Sequence, residues 1–211
     1  MTAASPIEIA SPDGRVTALA AGPDDGQPVV FLHGVGGGAV LWARQVGELA
    51  ALGYRAIAIN LPGYAGSAPV RPASVGLYGD TLSTFIRVMA LPPPVLVGHS
   101  LGGMIVQSYL ADGLGPVRGA VLVQTSPAFG GRDPNWAGDF IGSRLRPLDH
   151  GGTMAELATS GVPAMIGPDP DPGVLALAVR AMSETPSETY RDSLLSLIGF
   201  DRREALARIA V

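Results

Sequence analysis

The stretch that decides the fold is Val95-Leu96-Val97-Gly98-His99-Ser100-Leu101-Gly102-Gly103. It opens on three apolar residues typical of a short buried strand and runs into a helical pattern from Leu101 to Leu110. Between the two lies Gly-x-Ser-x-Gly, with a glycine two residues to either side of Ser100. A serine on so tight a strand-to-helix turn is forced into a strained backbone conformation that projects its hydroxyl above the sheet. The sequence therefore predicts a nucleophile at Ser100, with Gly98 and Gly102 keeping the crowded turn free of clashes.

Outward from this turn, apolar strands alternate with helices. Two short strands, Ile7 to Ala10 and Val16 to Ala20, flank Asp13-Gly14, a strong hairpin signal. Apolar strands that alternate with helices indicate an α/β fold, a mostly parallel, doubly wound sheet covered on both faces, here preceded by an antiparallel hairpin. The predicted parallel strands are Pro28 to Leu32, Tyr54 to Ile59, Val95 to Val97 and a buried Val117 to Gln124, and the predicted helices are Leu41 to Leu52, Leu77 to Leu91 and Leu101 to Leu110.

The character of the sequence changes after Thr125. The next seventy or so residues show helical patterns and no convincing strand, with breaks at Gly151-Gly152, at Pro163 and at Pro168 to Pro172. We expect residues 1–125 to form the core, residues 126–198 a helical cap, and residues 199–211 a return helix, Phe200 to Ile209, that leads into a further core strand at Val211.

Composition excludes several kinds of chemistry. The 211 residues contain no cysteine, and their 14 basic residues are all arginine, which excludes thiolate sites, lysine phosphate loops and Schiff bases. With only three histidines, a histidine-rich metal site is not expected, and we expect neither metal nor cofactor. A net charge of −4 argues against nucleic acid or an anionic membrane as a partner. The apolar stretches are too short for a membrane span, and the N-terminus lacks signal-peptide features, so a cytoplasmic location is expected.

A glycine-rich loop, His33-Gly34-Val35-Gly36-Gly37-Gly38, follows the strand Pro28 to Leu32. In a hydrolase it supplies an oxyanion donor, the N–H of Val35, beside that of Leu101, while His33 and Gly34 hold the loop. Gly34-x-Gly36-x-x-Ala39 also fits a dinucleotide-binding fingerprint. A dinucleotide site requires an acidic residue at the end of the next strand, and this sequence has Asn60 there. The dinucleotide alternative also leaves the Ser100 turn unexplained.

A third turn, Asn60-Leu61-Pro62-Gly63-Tyr64-Ala65-Gly66-Ser67, closes the strand Tyr54 to Ile59. The three motifs in this order and at these separations resemble the α/β-hydrolase superfamily over essentially the whole chain. Within it, the predicted cap and the stretch Tyr190 to Val211 are similar to 3-oxoadipate enol-lactonase and related small-ester hydrolases. One departure is Asn60, where relatives usually carry aspartate.

The resemblance implies a serine hydrolase that acts on a small-molecule ester or lactone. Ser100 would attack the carbonyl, and the amides of Leu101 and Val35 would hold the oxyanion. The cap would close an apolar pocket over Ser100, for which Trp42 and Met104 are candidate lining residues.

The resemblance also implies a catalytic acid and a late histidine, and the sequence supplies neither in the expected place. His99 lies inside the serine turn, His33 belongs to the glycine loop, and His150 falls in the cap. We therefore expect the last strands, the acid and the base to be absent, with His150 as the remaining substitute. Two hypotheses follow: an ester or lactone hydrolase impaired in this fragment, or a non-catalytic ligand-binding protein of the same fold.

Overall fold

The structure is a computed structural model, and it describes residues 3–12, 14–130, 135–209 and 211. Its centre is a six-stranded sheet in the order β1-β2-β4-β3-β5-β6. β1 pairs antiparallel with β2, and β2 pairs antiparallel with β4, whereas β3, β4, β5 and β6 run parallel. The strands are β1 (Ser5–Ser11), β2 (Gly14–Ala21), β3 (Pro28–Leu32), β4 (Arg55–Ile59), β5 (Val95–His99) and β6 (Gly119–Val123). The predicted mostly parallel α/β sheet with its N-terminal antiparallel hairpin is confirmed; Asp13 of the hairpin turn lies outside the described residues.

Helices cover both faces of the sheet. Successive side chains of a strand point to opposite faces, and accordingly Val30 and Leu32 of β3 join one apolar cluster while Val29 and Phe31 join another. The larger cluster packs against α2 and α3, and the smaller one packs against α1. These helices are α1 (Ala43–Ala51), α2 (Val75–Val88) and α3 (Leu101–Ala111).

The helix predicted at Leu41 to Leu52 begins later than expected. A 3-10 turn, Ala39–Trp42, comes first, and the buried face of α1 consists of Val46, Gly47 and Ala50. Leu52 follows the last helical residue and is 73% exposed, because the chain reverses there at Gly53, whose φ is +87°.

Strand β6 is shorter than the predicted strand Val117 to Gln124 and is not buried; with the last strands expected to be absent, an open edge at this strand is the expected result. It pairs with β5 on one side, and within the described residues nothing pairs with its other side. Val121 and Leu122 are consequently 48% and 44% exposed.

Between β6 and the C-terminal segment the described chain forms α4 (Trp136–Asp149), α5 (Met154–Met165), α6 (Pro172–Ser183) and α7 (Ser187–Leu195). Pro163 lies inside α5 instead of breaking it, and the helix continues for only two residues beyond it, to Met165. α5 starts on a capping box in which Thr153 and Glu156 each accept the other's backbone N–H. In the part of the chain that the structure describes, no helix has the length and apolarity needed to cross a membrane.

The C-terminal helix predicted from Phe200 to Ile209 is wrong over most of its length. Only α8 (Arg203–Leu206) is helical, and Val211 is in no strand. Phe200 and Arg202 instead bond to an extended segment: the Phe200 carbonyl accepts the N–H of Phe129, and the Arg202 N–H donates to Pro127 at 2.7 Å. These long-range bonds hold the chain extended where local periodicity favours a helix.

Candidate active site

Ser100 occupies a strained turn between β5 and α3. Its φ of 52° and ψ of −117° lie where a residue with a side chain is rarely found, which confirms the predicted backbone strain. Three hydrogen bonds hold this conformation. The Ser100 N–H donates to the Val123 carbonyl at 3.0 Å, and the Ser100 carbonyl accepts the Thr125 hydroxyl at 2.8 Å and the Met104 N–H at 3.1 Å.

Gly98 and Gly102, on either side of Ser100, are required because backbone atoms lie where their side chains would be. A Cβ at Gly98 would lie 2.4 Å from the Gly102 carbonyl oxygen, and a Cβ at Gly102 would lie 2.4 Å from that of Leu32. The missing side chains therefore let α3 lie directly against β3 and β5, and this contact holds Ser100 at the carboxyl edge of the sheet.

The glycine loop after β3 lies beside Ser100. A Cβ at Gly34 would be 3.0 Å from the Ser100 Cβ, and Val35 borders the same cavity as the serine. No hydrogen bond among the described residues uses the N–H of Val35 or that of Leu101, the first residue of α3. The structure thus brings together the two loops that carry the predicted oxyanion donors.

His33 is buried beneath the loop, and backbone groups engage both of its ring nitrogens. Nε2 accepts the Leu61 N–H at 3.0 Å, so Nδ1 carries the proton and donates to the Gly34 carbonyl at 2.8 Å. Burial lowers the pKa of this imidazole to about 4, with the bond to Gly34 acting in the opposite direction. The Tyr64 ring packs edge-on against it, 4.6 Å between centroids. His33 is therefore neutral at pH 7 and braces the loop against the turn after β4.

The side chain of Asn60, in the turn after β4, forms hydrogen bonds to two neighbouring segments of the chain. Its Oδ1 accepts the Ala39 N–H at 2.8 Å, and its Nδ2 donates to the Thr17 hydroxyl at 2.9 Å. Ala39 stands in a 3-10 turn, and α1 begins only at Ala43. The loop therefore does not open directly onto a helix N-terminus, as the dinucleotide-binding fingerprint requires.

A cavity of about 290 Å³ opens at Ser100. Its floor is Ser100, Gly34 and Val35, and its walls come mainly from α4, α6 and α7. A second cavity of about 380 Å³ adjoins it and shares Val35, His99 and Met165 with the first. Side chains from α4, α5, α6 and α7 that border the first cavity are Phe140, Arg144, Met165, Met182, Tyr190 and Leu194.

The two residues suggested for the pocket, Trp42 and Met104, do not border these cavities. The Trp42 ring packs on Phe31 with 4.9 Å between centroids, in the apolar cluster on the α1 face of the sheet. Met104 is buried in the larger core cluster. Both residues stand near a site motif in sequence, but their side chains point into the core.

None of the three histidines forms a described hydrogen bond to the Ser100 hydroxyl. Nε2 of His99 pairs with Oε1 of Gln124 at 3.1 Å. His150 is exposed at the end of α4, where its Nδ1 pairs with the Arg146 carbonyl at 2.7 Å. The described residues therefore present a serine turn without a bonded general base.

Most side chains that border the serine cavity were not predicted from the sequence, and polar ones among them are Gln124, Arg144 and Tyr190. Gln124 follows β6, and its position at the carboxyl end of a strand beside β5 was the available signal. Arg144 and Tyr190 come from α4 and α7, and no local pattern indicates which faces of these helices turn toward Ser100.

Comparison with curated proteins yields relatives with several named activities, among them esterases, a "Putative carbamate hydrolase" and non-heme chloroperoxidases. The chain is 41% identical over 85 residues to "Probable esterase PIR7A" of Oryza sativa subsp. indica, an alignment that covers 38% of this chain and 32% of the rice protein. It is 36% identical over 121 residues to the pimeloyl-[acyl-carrier protein] methyl ester esterase of Chromobacterium violaceum, covering 57% of this chain and 44% of that protein. The chain thus matches less than half the length of either relative.

Solved structures extend the likeness to nearly the whole chain. An esterase from Exiguobacterium antarcticum has a TM-score of 0.85 at 21% identity, covering 97% of this chain and 77% of that one. The enol-lactonase from Burkholderia xenovorans LB400 has a TM-score of 0.84 at 19% identity, covering 97% and 78%. At such identities the likeness concerns the fold.

The family comparison covers the site itself. Residues 29–210 match the alpha/beta hydrolase family, a range that takes in the glycine loop, the turn after β4, the serine turn and the helices above them. The chain therefore belongs to the alpha/beta hydrolase family.

Proposed function

We propose that this protein hydrolyses a small carboxylic ester or lactone through an acyl-enzyme formed on Ser100. The observation that carries the proposal is the backbone of Ser100, held at φ 52° on the rim of a cavity that it shares with Gly34 and Val35. Strain of this kind is kept where the surrounding structure enforces it, and at a strand-to-helix turn it presents the hydroxyl to a ligand. The esterase names of the curated relatives support the same class of reaction.

In the proposed reaction the Ser100 Oγ attacks the carbonyl carbon of the substrate while its proton passes to a base. The oxyanion accepts hydrogen bonds from the N–H groups of Val35 and Leu101, and the second of these also lies at the positive end of α3. Collapse of the tetrahedral intermediate breaks the bond to the alcohol oxygen, which takes the proton. Water then attacks the acyl-enzyme and releases the carboxylic acid.

The base is the component that the described residues do not supply at Ser100. Both nitrogens of His33 face backbone groups, His99 bonds to Gln124, and His150 is exposed. Loss of a triad base costs about 10⁴ to 10⁶ in kcat. We therefore propose that the 211-residue chain combines a Ser100 nucleophile and two backbone oxyanion donors with impaired catalysis.

The division of the chain into a core (1–125), a cap (126–198) and a return segment (199–211) belongs to the same proposal. It is supported by the cavity walls, because α4, α6 and α7 supply Phe140, Met182 and Tyr190 above the serine. Helices that close over a nucleophile exclude water from the acyl-enzyme and shape the substrate pocket.

Labelling with a fluorophosphonate, followed by peptide mass spectrometry, tests the nucleophile. We expect slow labelling confined to Ser100, lost in Ser100→Ala and kept in Ser160→Ala, which removes an exposed hydroxyl on α5. A label spread over several serines, or none after prolonged incubation, would favour the non-catalytic ligand-binding hypothesis. Rapid labelling would show that the chain already holds a base.

A further inference from the structure

Arg144 brings a positive charge to the wall of the serine cavity. It stands on α4, is half-buried, and borders the same cavity as Ser100. The surrounding wall is otherwise largely apolar, with Phe140, Met165 and Met182 among its members. A guanidinium in such surroundings loses part of its hydration, and desolvation accordingly lowers the pKa of Arg144. Since an arginine nevertheless stays protonated, the cavity contains a permanent cation.

No carboxylate among the described residues pairs with this cation. Acidic groups on the neighbouring elements form ion pairs elsewhere: Asp149 with Arg191, and both Glu188 and Asp192 with Arg71. Tyr190 borders the cavity too, but burial raises the pKa of its hydroxyl, so it is neutral at pH 7. The charge of Arg144 is therefore left without a described counter-ion beside the site where substrate would bind.

The guanidinium is also held in a fixed plane. Its Cζ lies 3.4 Å from the centroid of the Phe140 ring, and Nη1 donates to the Phe140 carbonyl at 3.1 Å. The Phe140 ring is held in turn by Trp136 at 4.9 Å and Phe129 at 5.4 Å between centroids. Nε and Nη2 form no described bond, so donors remain in the fork geometry that matches a carboxylate. Little side-chain entropy is left to lose when an anion binds.

The neighbouring cavity has a different lining. It adjoins the serine cavity through shared residues, and Val162, Ile166 and Ala178 give it an apolar wall. A substrate whose carbonyl lies at Ser100 would thus meet a cation toward α4 and an apolar space toward α5 and α6.

From this arrangement we propose that Arg144 is a specificity residue that binds a carboxylate carried by the substrate. The substrate class is then an ester or lactone with a free carboxylate on one arm, such as a half-ester of a dicarboxylic acid. This inference rests on the proposed hydrolase function, because it places the scissile carbonyl at Ser100. Arg144 is assigned no part in bond breaking, so its effect falls on substrate affinity.

Binding measurements test the proposal without requiring turnover. Affinities of monomethyl succinate, glutarate and adipate are compared with those of the corresponding dimethyl esters by ligand-observed NMR. The matched variants are Arg144→Gln, Arg144→Lys and Arg146→Gln, the last removing an exposed arginine of the same helix turn. A charge-assisted hydrogen-bonded pair is worth roughly tenfold to hundredfold in affinity.

We expect at least one monomethyl ester to bind roughly tenfold or more tightly than its dimethyl counterpart. Arg144→Gln should abolish this preference, Arg144→Lys should keep part of it, and Arg146→Gln should leave it unchanged. Absence of a preference in the wild type, or its survival in Arg144→Gln, would overturn the proposal, as would an equal loss in Arg146→Gln. The same titration in Ser100→Ala should retain the preference, so a failure of Ser100 to react with fluorophosphonate bears on the proposed function and not on the anion site.

Discussion

Replacing Gly102 by alanine sets two effects of known sign against each other. Gly102 lies in the first turn of α3, where alanine is preferred to glycine by about 1 kcal/mol on helix propensity. The new Cβ, however, would lie 2.4 Å from the Leu32 carbonyl oxygen and 2.8 Å from that of His33. Both atoms belong to the backbone, at and just after the end of a buried central strand, and cannot rotate away. The helix must therefore shift by about 1 Å to restore an ordinary contact.

Overpacking costs about 1–3 kcal/mol, and contact with rigid backbone atoms places this variant in the upper part of that range, about 2–3 kcal/mol, which outweighs the gain in propensity. We expect Gly102→Ala to lower the free energy of unfolding by about 1–2 kcal/mol. The control is Gly142→Ala in α4, where a Cβ meets nothing within 4 Å, and a gain of about 0.5–1 kcal/mol is expected. Urea denaturation of both variants and the wild type measures the difference.

A Gly102→Ala protein as stable as Gly142→Ala would refute the reasoning, because it would show that α3 does not rest directly on the β3 backbone. Since the same contact positions Ser100, Gly102→Ala should also label more slowly with fluorophosphonate than Gly142→Ala, under conditions in which both proteins are folded.

Three further predictions concern stability and association. The pKa of His33 is about 4 in the folded protein and 6.5 in the unfolded chain, so between these pH values the unfolded chain binds more protons. The free energy of unfolding should therefore fall by up to about 3 kcal/mol from pH 7 to pH 4. Urea titrations of His33→Gln should lack this part of the pH dependence. Tyr64→Phe deprives the Gly36 N–H of its acceptor and the Ser193 hydroxyl of its donor, so the free energy of unfolding, measured by thermal unfolding, should fall by about 1–3 kcal/mol. Among the described residues nothing pairs with the outer side of β6, and Leu122 is 44% exposed, so light scattering should show self-association that Leu122→Lys reduces. A wild-type protein that stays monomeric at high concentration would contradict this.

The parts of the fold that sequence predicted best have strong local signals. The hairpin is marked by Asp13-Gly14, and β3 is an unbroken apolar run, Pro28–Leu32, found with the predicted bounds. The serine turn is specified by contacts among near neighbours, such as Gly98 with Gly102. Where the backbone atoms that crowd a turn are close in sequence, the spacing of the glycines alone predicts the turn.

The errors concern features that depend on distant partners. The extended segment at Phe200 is fixed by bonds to residues some seventy positions earlier, which no local pattern reveals. The lining of the serine cavity also depends on residues distant in sequence, because Arg144 and Tyr190 meet above Ser100 only through the packing of α4 and α7. Trp42 was assigned to the pocket from its nearness to the glycine loop in sequence, whereas its ring packs on Phe31.

We propose that Ser100 is a nucleophile beside an oxyanion site, with no base bonded to it among the described residues, and the imidazole dependence of ester hydrolysis tests this proposal most directly. The rate of p-nitrophenyl acetate hydrolysis is measured for the wild type and Ser100→Ala over a range of imidazole concentrations at constant pH. The account predicts a wild-type rate close to that of Ser100→Ala without imidazole, and an excess over Ser100→Ala that grows as imidazole supplies the base. Identical rates for the two proteins at every imidazole concentration would contradict it.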